Sequence, residues 1–199
     1  MLEFGGKVIQ VDPVGDYSLL PKADLILLTD IHGDHMQPGT VASLKKTGTV
    51  IVAPAAVAKT IVEAKVMANG DSQAVNLQGT TIGIEAVPMY NLTRGPSAGQ
   101  FYHDKGRGNG YVLTFGGKRV YIAGDTECIP EMKALKNIDI AFLPMNLPYT
   151  MTPQEAAECT KAFRPKVVYP YHYMGQDPQA FADALKGEKG IEVRLRNWY

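Results

Sequence analysis

The 199-residue sequence predicts one α/β domain, residues 1–199, whose sheets are covered by helices. Two observations carry this prediction. Strand patterns follow one another in a meander near the start of the chain and then alternate with helix patterns, an order of elements that is typical of this class. The hydrophobic content of 45% is ordinary for a soluble globular protein of this length, and no internal repeat, low-complexity tract or linker divides the sequence.

Five strand patterns and two helix patterns occupy the N-terminal half. The strands comprise two short segments joined by a Gly-Gly turn, two apolar runs of the kind that is buried on both faces, and one alternating segment. In chain order they cover residues 2–4, 7–13, 23–29, 49–53 and 80–87. The predicted helices cover residues 38–46 and 55–67, where apolar side chains recur at helical spacing.

The C-terminal half begins with a predicted loop over residues 90–109, a length that in a compact domain is more often functional than idle. A β-hairpin and three further strands follow, at residues 111–115, 118–123, 138–144, 166–170 and 191–195. The two predicted helices cover residues 152–163 and 177–185. Thr152 as N-cap, Pro153 at the first helical position and Glu155 three residues after the cap predict a capping box.

The balance of charge bears on the partners. Lysine plus arginine and aspartate plus glutamate number 20 each, so the chain has no net field that would attract nucleic acid or an acidic membrane surface. We therefore expect a small-molecule substrate that is recognised locally, and neither a nucleic-acid nor a membrane partner.

The sequence predicts a soluble, cytoplasmic protein. No segment approaches the roughly 18 consecutive apolar residues of a membrane span, and MLEFGGKVIQ lacks the basic and apolar regions of a signal peptide. Cys128 and Cys159 do not have the close spacing of a zinc knuckle or a CxxC motif, so we expect two buried thiols in a reducing compartment.

Metal-competent side chains cluster at the ends of predicted strands. TDIHGDH, residues 29–35, directly follows an apolar run, and the remaining histidines lie where a strand or hairpin gives way to a loop. A structural role is the commoner one for any single histidine, but all four histidines of the chain share this placement. Imidazole nitrogens and carboxylate oxygens are ligands for zinc, manganese and iron. The candidate ligands are Asp30, His32, Asp34, His35, His103, Asp125 and His172.

Three motifs together resemble the metallo-β-lactamase superfamily. TDIHGDH is similar to its HxHxDH signature, Gly124-Asp125-Thr126 to its bridging aspartate and Pro170-Tyr171-His172 to its final histidine, in the right order over nearly the whole chain. YHDKGRGNGYVL (102–113) and LPYTMTPQEAAE (147–158) resemble the small metal-dependent hydrolases of the ascorbate-6-phosphate lactonase-like branch. The resemblance implies a four-layer αββα sandwich with the site at the edge between two sheets.

The resemblance also implies two divalent ions, Zn, Mn or Fe, and a role for each ligand. It places His32 on the first ion, His35, Asp34 and His172 on the second, and Asp125 between them. Two positions depart from the family pattern. Asp30 replaces the first histidine of the signature, and Asn91 lies where many members have a further first-site histidine, so His103 is the only histidine left for that role.

Two interpretations of Asp30 remain open. As a ligand, it would be the third carboxylate facing two dications, which favours oxygen-preferring ions such as manganese or iron beside zinc. As an acceptor that orients a histidine, it would leave the first site weak or empty. His103 has the corresponding alternatives of a ligand, a substrate-facing residue or a surface residue.

The implied reaction is hydrolysis of an ester-like bond, in a phosphodiester or a lactone, by a metal-bound hydroxide. Asp34 and Asp125 are the predicted catalytic residues, with Asp34 holding the hydroxide. Lys105 and Arg107 form a candidate clamp for a phosphate or carboxylate group. Tyr149 and Tyr173 are candidates for the pocket wall, although tyrosines beside strand ends more often pack structurally.

Two other functions compete with hydrolysis. A degenerate binding module with one or no metal would explain the departures at Asp30 and Asn91. A redox di-iron centre is less consistent with the chain because no flavin domain accompanies it. The short N-terminal strand would leave an exposed sheet edge, which makes a homo-oligomer an expectation.

Overall fold

Strands dominate the architecture of the computed structural model, which describes residues 1–198. The strands are β1 (Leu2–Phe4), β2 (Lys7–Val11), β3 (Leu25–Leu27), β4 (Val50–Ala53), β5 (Lys65–Val66), β6 (Ser72–Leu77), β7 (Thr80–Met89), β8 (Gly108–Phe115), β9 (Lys118–Ile122), β10 (Ile140–Pro144), β11 (Val167–Tyr171) and β12 (Glu192–Val193). The helices are α1 (Pro38–Leu44), α2 (Ala55–Ala58), α3 (Pro130–Lys133), α4 (Pro153–Phe163) and α5 (Pro178–Ala184).

These strands form two sheets. The first has five strands in the order β1-β2-β3-β4-β5, and all its neighbours are parallel except β1 and β2. The second has seven strands in the order β12-β11-β10-β9-β8-β7-β6. Strands β6 to β9 pair antiparallel, whereas β9 to β12 pair parallel. The carboxyl ends of β2, β3 and β4 therefore share one edge of the first sheet, as those of β9, β10 and β11 do in the second.

Three hydrophobic clusters define the layers. The middle cluster draws on both sheets, with Leu25 and Leu27 packing near Ile82 and Tyr111. The neighbouring residue Ile26 points the other way, into a cluster with α1 and α2. A third cluster packs α3, α4 and α5 against the outer face of the second sheet. Alternate side chains of β3 thus face the other sheet on one side and helices α1 and α2 on the other. Because helices α3, α4 and α5 cover the second sheet, the predicted αββα sandwich is confirmed.

The helix predicted over residues 55–67 is wrong beyond its first turn. Helix α2 ends at Ala58, and Lys65–Val66 instead form strand β5, parallel to β4. Residues 60–62 are three consecutive β-branched residues, which lowers helix propensity, and the edge of β4 offers an alternative set of backbone partners. Val57 and Ile61 are nevertheless buried, so these apolar residues face the core as expected, although the segment after Ala58 is not helical.

Besides β5, two further elements were missed. Strand β6 alternates between exposed and buried positions, but its polar residues dilute the apolar signal, and α3 has only four residues. Strand β8 begins at Gly108 rather than at Tyr111, so the loop predicted over residues 90–109 covers residues 90–107. The capping box of α4 is confirmed, because Thr152 accepts from the Glu155 N–H and Glu155 accepts from the Thr152 N–H.

The expectation of two free thiols is wrong. The structure joins Cys128 and Cys159 in a disulfide, with a Cα–Cα distance of 5.6 Å. The two cysteines are 31 residues apart, and only the packing of α4 beside the segment after Asp125 brings them together. Free thiols are typical of a reducing compartment, so these two cysteines do not support the predicted cytoplasmic location. Across residues 1–198 the structure has no helix that is long and apolar enough to span a membrane.

The capping box makes a prediction about stability. Replacing Thr152 by alanine removes the acceptor of the Glu155 N–H, so we expect the free energy of unfolding to fall by about 1 kcal/mol. Urea unfolding followed by circular dichroism measures this change. Thr47→Ala, in an exposed turn, is the control and should leave the free energy of unfolding unchanged. Equal midpoints for the two variants would contradict the capping role.

Candidate metal centre

The predicted ligands come together where strands of the two sheets end. Asp30 follows β3, Asp125 follows β9 and His172 follows β11, while the 90–107 loop supplies His103. His172 has a φ of 47°, a left-handed backbone conformation that is costly for a residue with a side chain. Strain of this kind persists where surrounding contacts fix the backbone, and it is common in functional sites.

The first group comprises Asp30, His32 and His103, whose ligand atoms can all lie within 4.8 Å of one another. His32 Nδ1 is 2.9 Å from Asp30 Oδ2, and His103 Nε2 is 3.9 Å from the same oxygen. Asp30 and His103 are buried, whereas the side chain of His32 is 45% exposed.

The second group comprises Asp34, His35 and His172 and meets the same distance criterion. Asp34 Oδ2 is 3.4 Å from His172 Nε2 and 4.0 Å from His35 Nε2. The two imidazole rings are stacked, with centroids 5.0 Å apart. The side chain of Asp34 is 62% exposed, so solvent reaches both groups from the side of His32 and Asp34.

Asp125 lies between the two groups. Its Oδ2 is 3.3 Å from His35 Nε2 and 3.5 Å from His103 Nε2. Both Nε2 atoms and Asp125 Oδ1 are buried and have no hydrogen-bond partner among the described residues. Buried polar atoms without partners are costly, and nitrogen and oxygen donors that converge at such distances fit divalent transition-metal ions. The residues present therefore fit the metal that the resemblance implies.

Further polar side chains orient these imidazoles. Asp12 Oδ2 lies 2.9 Å from His35 Nδ1, and Asn91 Oδ1 lies 2.9 Å from His103 Nδ1. Partners of this kind fix the tautomer that presents Nε2 to the centre. Asn91, noted above as a departure from the family pattern, thus supports the histidine that is available in its place.

Asp12 and Asn91 were not predicted as site residues. Asp12 directly follows β2, the parallel neighbour of β3, so its strand-end position was a signal that the sequence did contain. Asn91 had no comparable signal, because its contact with His103 spans 12 residues of irregular loop.

Arg107 lies inside the first group. Its guanidinium makes two contacts with the Asp30 carboxylate, Nε to Oδ1 at 3.1 Å and Nη2 to Oδ2 at 2.9 Å. Burial tends to raise the pKa of Asp30, but the hydrogen bond from His32 and the charge of Arg107 outweigh burial and hold this pKa well below its usual range.

The other predicted substrate residues lie elsewhere. Lys105 is ion-paired with Glu131 at 2.6 Å, and the Tyr149 ring packs edge-on against Tyr102. The Tyr173 hydroxyl donates to the backbone carbonyl of Arg196.

A cavity of about 540 Å³ adjoins the second group. Asp34, His35 and His172 lie at its polar side, and its other lining residues are largely apolar. None of the four predicted substrate residues lines this cavity within the described chain.

The two buried histidines beside Asp125 differ electrostatically. Burial tends to lower the pKa of His35, but the carboxylates of Asp125 and Asp12 outweigh it and raise this pKa well above its ordinary value. For His103 burial prevails and lowers the pKa to about 4, against the opposing effect of Asp125. His103 is therefore neutral at physiological pH and can donate a lone pair, whereas His35 releases a proton on becoming a ligand.

Glycines permit the close approach of the strands at this centre. A Cβ atom on Gly108 would lie 2.7 Å from the carbonyl oxygen of Thr29, so β8 could not approach the segment after β3 this closely with a larger residue. Gly124 has a φ of 65°, and a Cβ there would lie 2.7 Å from the Met89 sulfur. Gly108, beside Arg107, and Gly124, beside Asp125, thus allow the backbone to pack closely at this centre.

The fold and the cluster define a class, the metal-dependent hydrolases of the metallo-β-lactamase superfamily. Residues 6–173 match the family described as Beta-lactamase superfamily domain. A UPF0173 metal-dependent hydrolase of Thermococcus onnurineus is 31% identical, over 96% of this chain and 90% of its own length. The chain belongs to the UPF0173 metal-dependent hydrolase family.

Solved structures agree with this family. A protein of Parabacteroides distasonis, provisionally named a metal-dependent hydrolase, superposes with a TM-score of 0.89 and is 49% identical, over 98% of this chain and 86% of its own. A metallohydrolase of Ignicoccus hospitalis superposes with a TM-score of 0.80 at 26% identity, over 98% of this chain and 89% of its own.

The contact between Asp12 and His35 makes a prediction about metal affinity. In Asp12→Asn the carboxylate that orients His35 is lost, so we expect zinc affinity to fall by about 10- to 100-fold. Competition with a chromophoric chelator measures the affinity. Asp16→Asn is the matched control, because this exposed aspartate of the same loop contacts only the nearby Ser18, through its backbone N–H and its side chain, in the described structure. Equal affinities of the two variants would contradict the orienting role.

Proposed function

We propose that this chain is a dinuclear metal-dependent hydrolase that cleaves an ester-like bond of a small molecule. One observation carries the proposal. His35 Nε2 and His103 Nε2 approach Asp125 Oδ2 to 3.3 and 3.5 Å, are buried, and have no hydrogen-bond partner in residues 1–198. A carboxylate between two such nitrogens is suited to bridge two cations, each held by one of the groups on its two sides.

The proposed ligand sets divide at Asp125. Asp30, His32 and His103 would hold the first ion, Asp34, His35 and His172 the second, and Asp125 both. Two bound dications of zinc, manganese or iron would supply Lewis acidity to the substrate and to the attacking water. Three carboxylates face this centre, but the Arg107 guanidinium offsets one of their charges, so the site is less anionic than the carboxylates alone indicate.

The side chains of the chain itself have separable tasks in this proposal. Asp34, whose side chain is 62% exposed beside His172, would accept a proton from water at the open side of the centre. Asp125, 2% exposed, faces His35 and His103 from the closed side, where it would hold a cation beside each of them. Substrate would enter over His32 and Asp34, because these are the exposed members of the two groups.

The proposed substrates are phosphodiesters and lactones. This narrower class is supported by the resemblance of residues 102–113 and 147–158 to the ascorbate-6-phosphate lactonase-like branch. Lys105 and Arg107 keep their proposed role toward an anionic group, although each has a carboxylate partner that substrate would have to displace or share. Tyr149, whose residue surface is 43% exposed, is available to contact substrate.

Metal content tests the dinuclear site. After saturation with zinc or manganese and removal of excess ion, we expect about two equivalents per chain by elemental analysis. His103→Ala should retain about one equivalent, because it removes a ligand of the first group only. Asp125→Ala should lose more than His103→Ala, because Asp125 faces both groups. Asp71→Ala, at an exposed position just before β6 where, among the described residues, the carboxylate contacts only the Ala68 N–H and no residue of the cluster, is the control.

Activity is measured on the same preparations. A panel of phosphodiesters and lactones should be hydrolysed by the metal-loaded parent and by Asp71→Ala, and at least a hundredfold more slowly by Asp34→Ala. At most one equivalent in the parent, with no difference between His103→Ala and the control, would reject the dinuclear site. That result would favour the alternative of a binding module, which the engagement of Asp30 by Arg107 supports.

A further inference from the structure

Asp30, His32 and Arg107 form a closed polar network, here called the Asp30 network. The Asp30 carboxylate accepts both contacts of the Arg107 guanidinium and lies 2.9 Å from His32 Nδ1. Arg107 Nη2 also lies 3.5 Å from His32 Nε2. Each member therefore has a polar partner inside the network.

Three other ligand atoms at the centre present a contrast. Within the described chain, His35 Nε2, His103 Nε2 and Asp125 Oδ1 are buried without hydrogen-bond partners. Binding a cation relieves these atoms of their desolvation cost and displaces no hydrogen bond of theirs, although His35, whose Nε2 faces Asp125 at 3.3 Å, must release its proton. A cation held by Asp30 and His32, in contrast, must share or displace the hydrogen bonds of the Asp30 network. The first group thus contains two ligands that are already engaged, Asp30 and His32, beside the unpartnered His103, so the two groups are not equivalent toward a metal.

We propose that Arg107 sets the affinity of the first metal site, so that the two sites fill unequally, the one around His35 and Asp125 first and the one at Asp30 second. This inference rests on the proposed dinuclear function and deepens it. Arg107 acts as a positioning residue, because it acts on the metal through Asp30.

The charge and the geometry of Arg107 both weaken metal binding at the first site. The guanidinium neutralises the carboxylate that distinguishes this site from the histidine of the family signature, and its own positive charge repels an incoming dication nearby. Its planar fork also occupies both carboxylate oxygens, which a monodentate cation such as lysine cannot do.

Zinc titration of the metal-free protein by calorimetry tests the proposal. In the parent we expect about one tight and one weaker equivalent. In Arg107→Gln the weaker equivalent should tighten on the order of tenfold or more, because the competing charge is gone. Arg107→Lys keeps the charge, so its weaker equivalent should stay closer to the parent than that of Arg107→Gln.

Arg119→Gln is the matched control. Arg119 makes the same kind of two-contact pair with Glu85, at Nη1–Oε1 2.6 Å and Nη2–Oε2 3.2 Å, and both residues lie outside the two ligand groups. Its zinc isotherm should equal that of the parent. Circular dichroism of all variants confirms that they are folded.

The outcomes separate this inference from the proposed function. Two equivalents in the parent, with the weaker one unchanged or weakened in Arg107→Gln, would overturn the role of Arg107 and leave the dinuclear function standing. A parent limited to one equivalent, beside an Arg107→Gln variant that binds two, would reject the dinuclear parent and support the role of Arg107. One equivalent in both proteins at saturating zinc would overturn both.

Discussion

The buried carboxylate of Asp125, which faces the Nε2 atoms of both His35 and His103, is the constraint on which the structure of the site depends. A carboxylate that is 2% exposed is costly unless positive charge or donors surround it. The histidines come from different parts of the chain, one after β3 and one from the 90–107 loop. Gly108 and Gly124 permit the close approach of Thr29, after β3, and Met89, at the end of β7, beside Asp125.

The sequence predicts this arrangement well where strands deliver the ligands. Asp30, Asp125 and His172 each follow a short apolar run, and parallel pairing then places the ends of such runs at one edge of a sheet. The sequence also predicts β3, β4 and the capping box of α4, because the signals for these elements are local. The rule that ligands follow strand ends would also have found Asp12, which directly follows β2.

The sequence predicts poorly whatever depends on tertiary contacts alone. Helix α2 ended early because the edge of β4 competed for residues 65–66. The disulfide between Cys128 and Cys159 depends on how α4 packs, which no spacing rule encodes. Arg107 was predicted to meet substrate, and its pairing with Asp30 across 77 residues becomes visible only in the folded chain.

The placement of His103 shows how distant elements determine the metal centre. The buried Glu127 carboxylate accepts from the side-chain amide of Asn91 and from the Arg94 N–H, and Asn91 in turn contacts His103 through Nδ1. Arg94 continues the connection to Glu155, the residue that closes the capping box of α4. Because polar groups buried in such a chain must all be satisfied together, the loop has few alternative conformations. The loop can therefore carry a candidate ligand with the accuracy that strands give to the others, although its sequence has no regular secondary structure to predict.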